Sequence, residues 1–474
     1  MPAALSRNLT TMPKPTSQIR AICLLALMSL LAATACRSTA SLPAASLADG
    51  PAPSAGTEAR LRSDIAYLAD DAREGRETGT PGNDSSAAYL ARRYAGMGVP
   101  SPLPGADPAA CRLDVAASAC VNGYLQHFSS RSAADAHSGR PARSTQNVVA
   151  VVPGSDPGLR GQILIIGAHF DHLGRSTDGA LDPQAGDAIR NGADDNASGT
   201  AAVLELARRF AAHPARRTVM LVNFTAEEQG LLGSAYFAAN SPLPLDSVQA
   251  MMNFDMVGRL RNDRLIVYGT GTAAALPDIL ESANSPTNGD PALDLSPVPD
   301  GYGPSDHSSF YARNIPVLHF FTDVHDDYHR ATDDAALVNY AGIVRVVDYA
   351  ERVARNLADR PDRLPVIAAT QPAPVAGSAR KSGGDVYFGS VPDMGAGTGK
   401  GMHLSGVTPG SPADKAGIRT DDIIIEFGGT PIDDLYSYTD ALRSHKPGDS
   451  VKVVVLRAGQ RLEMTAVLVA RGDR

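Results

Sequence analysis

The chain has 474 residues and no tryptophan, and its aromatic residues together make up only 5%. That absence removes nothing a core requires. Hydrophobic residues still reach 43% and charged residues 20%, the proportions of a soluble globular protein. Positive charge is scarce: 43 Lys and Arg stand against 51 Asp and Glu, for a net charge of −8 and a pI near 5.8. Without a basic footprint, nucleic acid is excluded as a natural partner. Membrane-length apolar runs are lacking as well. The run from Ala21 to Ala35 is too short to span a bilayer comfortably. Lys14 and Arg20 precede it, and Ala33-Thr34-Ala35 follow its core directly before Cys36. This is the layout of an export signal over residues 1–35, with Met12 as a better-placed start than Met1. Leu-Ala-Ala-Thr-Ala-Cys36 also has the pattern of a lipid-attachment site, although Ala33 stands where Leu is usual. The expectation is therefore an exported protein, periplasmic or an outer-membrane lipoprotein, otherwise secreted, touching a membrane only through such an anchor.

Cysteine is rare, with four residues in all. Cys23 leaves with the signal, Cys111 and Cys120 can pair in an oxidising compartment, and Cys36 remains as the odd one, which suits acylation. A nucleophile elbow is also missing. Ser305-Asp306-His307 are adjacent, and adjacent residues rarely form a catalytic triad.

What is present is strand–helix alternation. At roughly two to four domains for this length, residues 36–56, rich in Ala, Ser and Pro, read as a flexible tether. Leu61, Ile65 and Leu68 mark one helix face, and Ala87, Leu90, Ala91 and Tyr94 a second. Arg76–Gly82 is turn material, and 101–145 is loop-like. Strand-length apolar runs follow at 147–152, 163–166, 219–224, 251–254, 265–268 and 317–321. Helical spacing occupies 201–210, 231–239 and 344–357. Strands apolar on both faces predict an α/β fold over residues 57–357: a mixed, largely parallel central sheet flanked by helices. Residues 358–382 read as a linker and 383–474 as a separate small β-rich domain.

Candidate metal ligands fall just after these strand runs. His169 and Asp171 lie in His-Phe-Asp-His, Asp195 in Gly-Ala-Asp-Asp-Asn-Ala-Ser-Gly, Glu227-Glu228 in Thr-Ala-Glu-Glu-Gln-Gly, Asp255 in Asn-Phe-Asp-Met and His329 in Asp-Tyr-His. In open α/β sheets, sites gather at the carboxyl ends of strands, so these distant residues can converge. Two zinc ions need about three protein ligands each, and a bridging carboxylate counts twice. Asp195, in a loop of small residues, is the best bridge. His169 with Asp255 then serves one ion, and Glu228 with His329 the other. Asp171 is placed to orient the His169 imidazole, and Glu227 remains free to move a proton. Ligand type alone admits cobalt or manganese at the same donors. His307 is expected behind the ligands or on the pocket wall, and His172, His319 and His325 as structural or exposed.

Over residues 58–357 the chain resembles peptidase family 28, the co-catalytic di-zinc aminopeptidases. Gly-Ala-His169-Phe-Asp171-His-Leu-Gly, Gly-Ala-Asp-Asp195-Asn-Ala-Ser-Gly, Glu227-Glu228-Gln-Gly-Leu-Leu-Gly-Ser, Asn-Phe-Asp255-Met-Val-Gly and Asp-Tyr-His329 carry the likeness. Arg76–Gly82 and Ser305–Phe310 also match, whereas Arg330-Ala331 replace the frequent Thr-Pro, and the family's protease-associated insert is missing. The resemblance implies a zinc-peptidase/phosphorylase-like fold, two Zn2+ ions, a bridging water, a general base at Glu227 and removal of N-terminal residues from peptides. Met256, Tyr302, Phe310 and Tyr328 are candidate walls for the substrate side chain. Carboxypeptidase and glutaminyl-cyclase chemistry remain alternatives on the same core, and the lack of a basic clamp for a terminal carboxylate favours the aminopeptidase. An intact ligand set counts against a purely binding protein.

Val407–Ile418, Asp422–Gly429 and Pro431-Ile432 resemble a bacterial-type PDZ domain. The resemblance implies a groove that takes a peptide or protein C-terminus, with Tyr387-Phe388-Gly389-Ser390 as its carboxylate loop and the segment near Leu435–Leu442 as the other wall.

Overall fold

The computed structural model describes residues 53–470 except 105–122, 131–142, 178, 287–290, 369–385, 393–400, 409, 433–437, 439, 440 and 443. The expected signal, tether residues 36–52, the Cys111–Cys120 pair and most of the Leu435–Leu442 helix lie outside them, whereas residues 53–56, expected as tether, form the first turn of a helix. No helix among the described residues is long and apolar enough to cross a membrane.

Two helices open the fold: α1 (Pro53–Leu68) and α2 (Pro81–Gly96), the second capped by Thr80, whose side chain accepts from the Asn83 N–H. The sheet strands follow as β1 (Leu125–Ser129), β2 (Ser144–Val152), β3 (Ile163–His169), β4 (Thr218–Phe224), β5 (Val248–Phe254), β6 (Arg264–Tyr268), β7 (Asp294–Val298) and β8 (Val317–Phe321). Between them lie α3 (Gly199–Ala212), α4 (Leu232–Ala239), α5 (Leu276–Ala283) and α6 (His307–Tyr311), and α7 (Tyr340–Asp359) closes the domain. Spatial order is β1-β2-β4-β3-β5-β8-β6-β7. The central β4, β3, β5 and β8 run parallel, while β2 joins β4 and β6 joins β8 antiparallel. The fold is therefore the expected mixed, mostly parallel sheet between helices.

Alternation along the central strands explains the two faces. Leu164, Ile166 and Ala168 of β3 and Val219 and Leu221 of β4 turn to one core with α1, α2, α3 and α7. Ile163, Ile165, Met220, Val222 and Phe224 turn to the other, beneath Phe237 and Phe310. Every residue of β3, β4 and β5 is buried, as a sheet covered on both sides demands.

The structure corrects three further expectations. Residues 125–129 are not loop but an edge strand paired with 144–148. Strand β7 escapes the sequence pattern because Ser296-Pro297 break its apolar run; among the described residues it pairs only with β6, an edge where proline is tolerated. The segment after 357 is not all linker: Leu364 joins the core, Val366 bridges Ala273, and Ile367 N–H donates to Thr272 O.

The C-terminal region is a small antiparallel β domain. It comprises strands β9 (Val386–Tyr387), β10 (Ser390–Pro392), β11 (Met402–Val407), β12 (Ile423–Phe427), β13 (Thr430–Pro431), β14 (Ser450–Arg457), β15 (Gln460–Val467) and β16 (Val469–Ala470), with a short helix, α8 (Pro412–Lys415), between β11 and β12. Its core, with Phe388, Leu404, Ile424, Phe427, Val453 and Val455, shares no residue with the sheet domain.

Candidate metal centre

Most of the candidates follow the end of a central strand. His169 is the last residue of β3, and Asp255 follows β5 directly. Glu227-Glu228 come three and four residues after β4, through Ala226 at φ 56. His329 lies in the loop after β8 and itself holds φ 54. Asp195 departs from helical geometry (φ −102, ψ 93) in the kinked turn that leads into α3. Left-handed backbone at Ala226, Met256 and His329 costs strain that well-packed surroundings must hold, and such positions cluster at functional sites.

These residues meet. His169 Nε2 lies 3.1 Å from Asp255 Oδ1 and 3.4 Å from Asp195 Oδ1. His329 Nε2 lies 3.2 Å from Asp195 Oδ2 and 3.3 Å from Glu228 Oε2. Two donors held about 2.0–2.1 Å from one tetrahedral zinc stand about 3.3 Å apart. The four separations therefore have the length of edges in a zinc tetrahedron, and the imidazole and carboxylate donors are those zinc accepts. Two groups of three donors, His169-Asp195-Asp255 and His172-Asp195-Glu228, each fall within 4.8 Å and share Asp195.

The outer contacts hold the imidazoles in place. His329 Nδ1 donates to Gly179 O at 2.9 Å. His169 Nδ1 faces the backbone carbonyl of Asp171 at 3.2 Å, closer than the Asp171 carboxylate at 3.6 Å. That carboxylate accepts from Glu227 N–H at 3.2 Å and from Thr78 Oγ at 3.0 Å, tying the β3 end to the β4 end. Ser305 Oγ donates to Asp255 Oδ2 at 2.7 Å.

Burial, reinforced by Glu228, Asp255 and Asp306 and opposed by His169, pushes the Glu227 carboxyl well above its usual range. Against burial, His329 and His172 hold Glu228 well below. Adjacent carboxyls thus differ in proton affinity, as separate roles require. Burial raises Asp306 to about 7, with nearby Asp171 and Asp255 adding to the effect and His169 and Ser234 opposing it. Among the described residues, neither Asp306 oxygen has a partner at hydrogen-bonding geometry.

The remaining candidates divide. Met256 and Tyr328 belong to one apolar cluster, and the Tyr328 ring stacks on His329 at 3.9 Å. Tyr302 packs edge-on against Tyr311 at 4.8 Å. Phe310 is fully buried between Phe224 and Phe237, at 5.9 and 6.1 Å, in the packing of the second core. His307 is fully buried and stacked on buried His319 at 4.5 Å. His325 Nε2 lies 3.1 Å from Asp194 Oδ2. His172 is buried and 2.8 Å from Glu228, a contact its lone position in sequence did not announce. In the small domain, Tyr387 ends β9, Phe388 turns into the core, Gly389 takes φ 90 beside Ser411, and Ser390 Oγ shares a 2.6 Å hydrogen bond with Tyr438.

A mixed parallel sheet with a His/Asp/Glu donor cluster at its carboxyl end is the architecture of a metallopeptidase domain. Residues 147–354 match peptidase family M28, and residues 392–468 match the PDZ domain family. The chain thus carries an M28 peptidase domain with a PDZ domain C-terminal to it. It is 28% identical over 250 residues to leucine aminopeptidase 2 of Trichophyton rubrum, covering 47% of each chain. It is 41% identical over 118 residues to a probable zinc metalloprotease of Leptosphaeria maculans, covering 25% of this chain and 26% of that one. The chain therefore spans half or less of the length of these relatives. An aminopeptidase from Aneurinibacillus sp. strain AM-1 superposes with a TM-score of 0.47 at 19% identity, over 65% of this chain and 95% of that one.

Proposed function

We propose that the protein is a metallo-aminopeptidase that removes N-terminal residues from peptides with two zinc ions. The observation that carries this reading is the division of Asp195: Oδ1 faces His169, while Oδ2 faces His329. Asp195 would then be shared between two ions, with His169 and Asp255 completing one donor set and Glu228 and His329 the other. Two bound zinc ions would acidify water and stabilise the oxygens of the attacked carbonyl.

The chain's own groups do the rest. Glu227, left outside both sets, takes a proton on its carboxylate from the attacking water and returns it to the leaving amine. Asp171 positions that base by accepting its backbone N–H. Met256 and Tyr328 form the apolar side of the centre and suit an apolar N-terminal side chain. The PDZ domain takes a peptide C-terminus, and the N-terminal signal places the protein outside the cytoplasm.

The test is a panel of aminoacyl anilides, N-blocked peptides, C-terminal substrates and N-terminal glutaminyl peptides, assayed with and without a chelator. Cleavage confined to free N-termini and abolished by chelation is expected. Glu227→Gln should retain its metal and lose at least about 100-fold in kcat. Activity indifferent to the chelator sinks the proposal, and cyclisation of glutaminyl peptides without anilide cleavage turns it to the alternative chemistry.

A further inference from the structure

His172 has no task in the reading above. It is nonetheless 1% exposed, and the fold makes room for its ring. A Cβ at Gly192, which holds φ 57, would come within 2.5 Å of that ring. The His172 N–H is directed to Arg76 O at 3.4 Å. The ring stands edge-on to His329, with centroids 5.6 Å apart. Its Nε2 is buried with no hydrogen-bond partner among the described residues, while Nδ1 reaches Glu228 Oε1 at 2.8 Å. An ionised carboxylate only accepts, so Nδ1 carries the proton.

Distance separates two roles. Donors sharing a tetrahedral zinc stand about 3.3 Å apart, as His329 does from Asp195 and Glu228 at 3.2 and 3.3 Å. The 2.8 Å between His172 and Glu228 is instead a charge-assisted hydrogen bond, and His172 lies 3.6 Å from Asp195 Oδ2, too far for another. The two Glu228 oxygens are thereby divided: Oε1 is held by His172, and Oε2 faces His329. We propose that His172 is a positioning residue that fixes the Glu228 carboxylate for the metal site shared with His329. It acts through Glu228 and does not ligate. A carboxylate free to rotate would present either oxygen, and outer partners of this kind typically govern metal affinity by 10- to 100-fold.

This inference rests on the two-metal reading, and the experiment keeps the two apart. Full-length protein is stripped and titrated with zinc against a chromophoric chelator. Wild type should take up two equivalents; failure to do so sinks the functional reading itself. In His172→Leu, one equivalent should weaken about 10- to 100-fold while the other stays as in wild type. His172→Asn, whose amide N–H can replace Nδ1–H, should recover most of that loss. Equal binding by wild type and His172→Leu, equal weakening of both sites, or no recovery in His172→Asn overturns the inference. Wild-type protein loaded with cobalt gives a check that no variant's folding can spoil. Two hyperfine-shifted exchangeable imidazole protons, from His169 and His329, are expected, and a third would make His172 a ligand and overturn the positioning role.

Discussion

Arg76 is fully buried, and its guanidinium donates to four backbone carbonyls: Leu68, Phe170, Asn191 and Gly192. Phe170 lies between His169 and Asp171, and Asn191-Gly192 lead into the turn that carries Asp195, so one side chain ties the β3 end to that turn. Burial pushes its pKa down to about 10, with Asp195 and Asp171 pulling it back up. Arg76→Leu should cost about 4 kcal/mol or more in urea unfolding, because several buried carbonyls lose their donors together. Arg76→Lys should recover part of this, since an ammonium has three donors and no planar fork. The segment read as a turn is a turn, but this role was illegible because all four acceptors are main chain and leave no trace in residue types. His169, Glu227-Glu228 and Asp255 were legible because each follows an apolar strand run, and Asp195 because it lies in a loop of small residues that opens a helix.

Glu205 shows the same scale in charge. It is 3% exposed and accepts from Thr57, Arg60, Arg208 and Arg209. Although burial opposes ionisation, Arg208, Arg60 and Arg209 hold it far below the usual carboxylate range. A depressed carboxyl stabilises the fold fully above its unfolded value of about 4.3, and that contribution is lost as pH falls below it. The stability gap between wild type and Glu205→Gln, measured by urea unfolding, should be largest above pH ~5 and shrink steadily in more acidic buffer. A gap independent of pH would mean the network contributes through packing alone.

At the scale of elements, α7 was anticipated from its apolar spacing, and its ends explain why it holds. Asn339 accepts from Gly342 N–H at the start. At the end, Nη1 of buried Arg217 donates to the carbonyls of Leu357, Ala358 and Arg360, and Nη2 to those of Pro361 and Asp362. A guanidinium there meets the unpaired carbonyls and the negative end of the helix dipole. Arg217→Met should destabilise the domain by about 2 kcal/mol, with amide exchange accelerating first in the segment that follows Leu357. The strands that escaped sequence reading are the two edges. Strand β1 hides between segments without apolar pattern, and β7 contains Pro297. Edge strands are half-paired and half-exposed, so their composition is under weaker constraint than that of β3, whose every residue is buried.

For the molecule as a whole, the question is where the peptidase domain ends. Sequence pattern stops at 357, with the last apolar turn of α7. Packing continues: Leu364 is 6% exposed within the main core, Gln249 Oε1 accepts from its N–H at 3.3 Å, and Ile367 N–H donates to Thr272 O at 2.8 Å. Burying a leucine stabilises by about 2 kcal/mol, and the carbonyls that Arg217 caps belong partly to Arg360–Asp362. The small domain has a core of its own, from Val386 to Leu468. Two truncations therefore differ in outcome. A chain ending at residue 382 should keep the thermal midpoint of the peptidase transition and its hydrolysis of small aminoacyl substrates. A chain ending at residue 357 should unfold several degrees lower, at roughly 2–4 °C per kcal/mol lost for a domain of this size. Paired melting curves decide it. Equal midpoints for the two would mean that residues 358–367 merely trail the fold, and a collapse of both would mean that the peptidase domain depends on the PDZ domain for its stability.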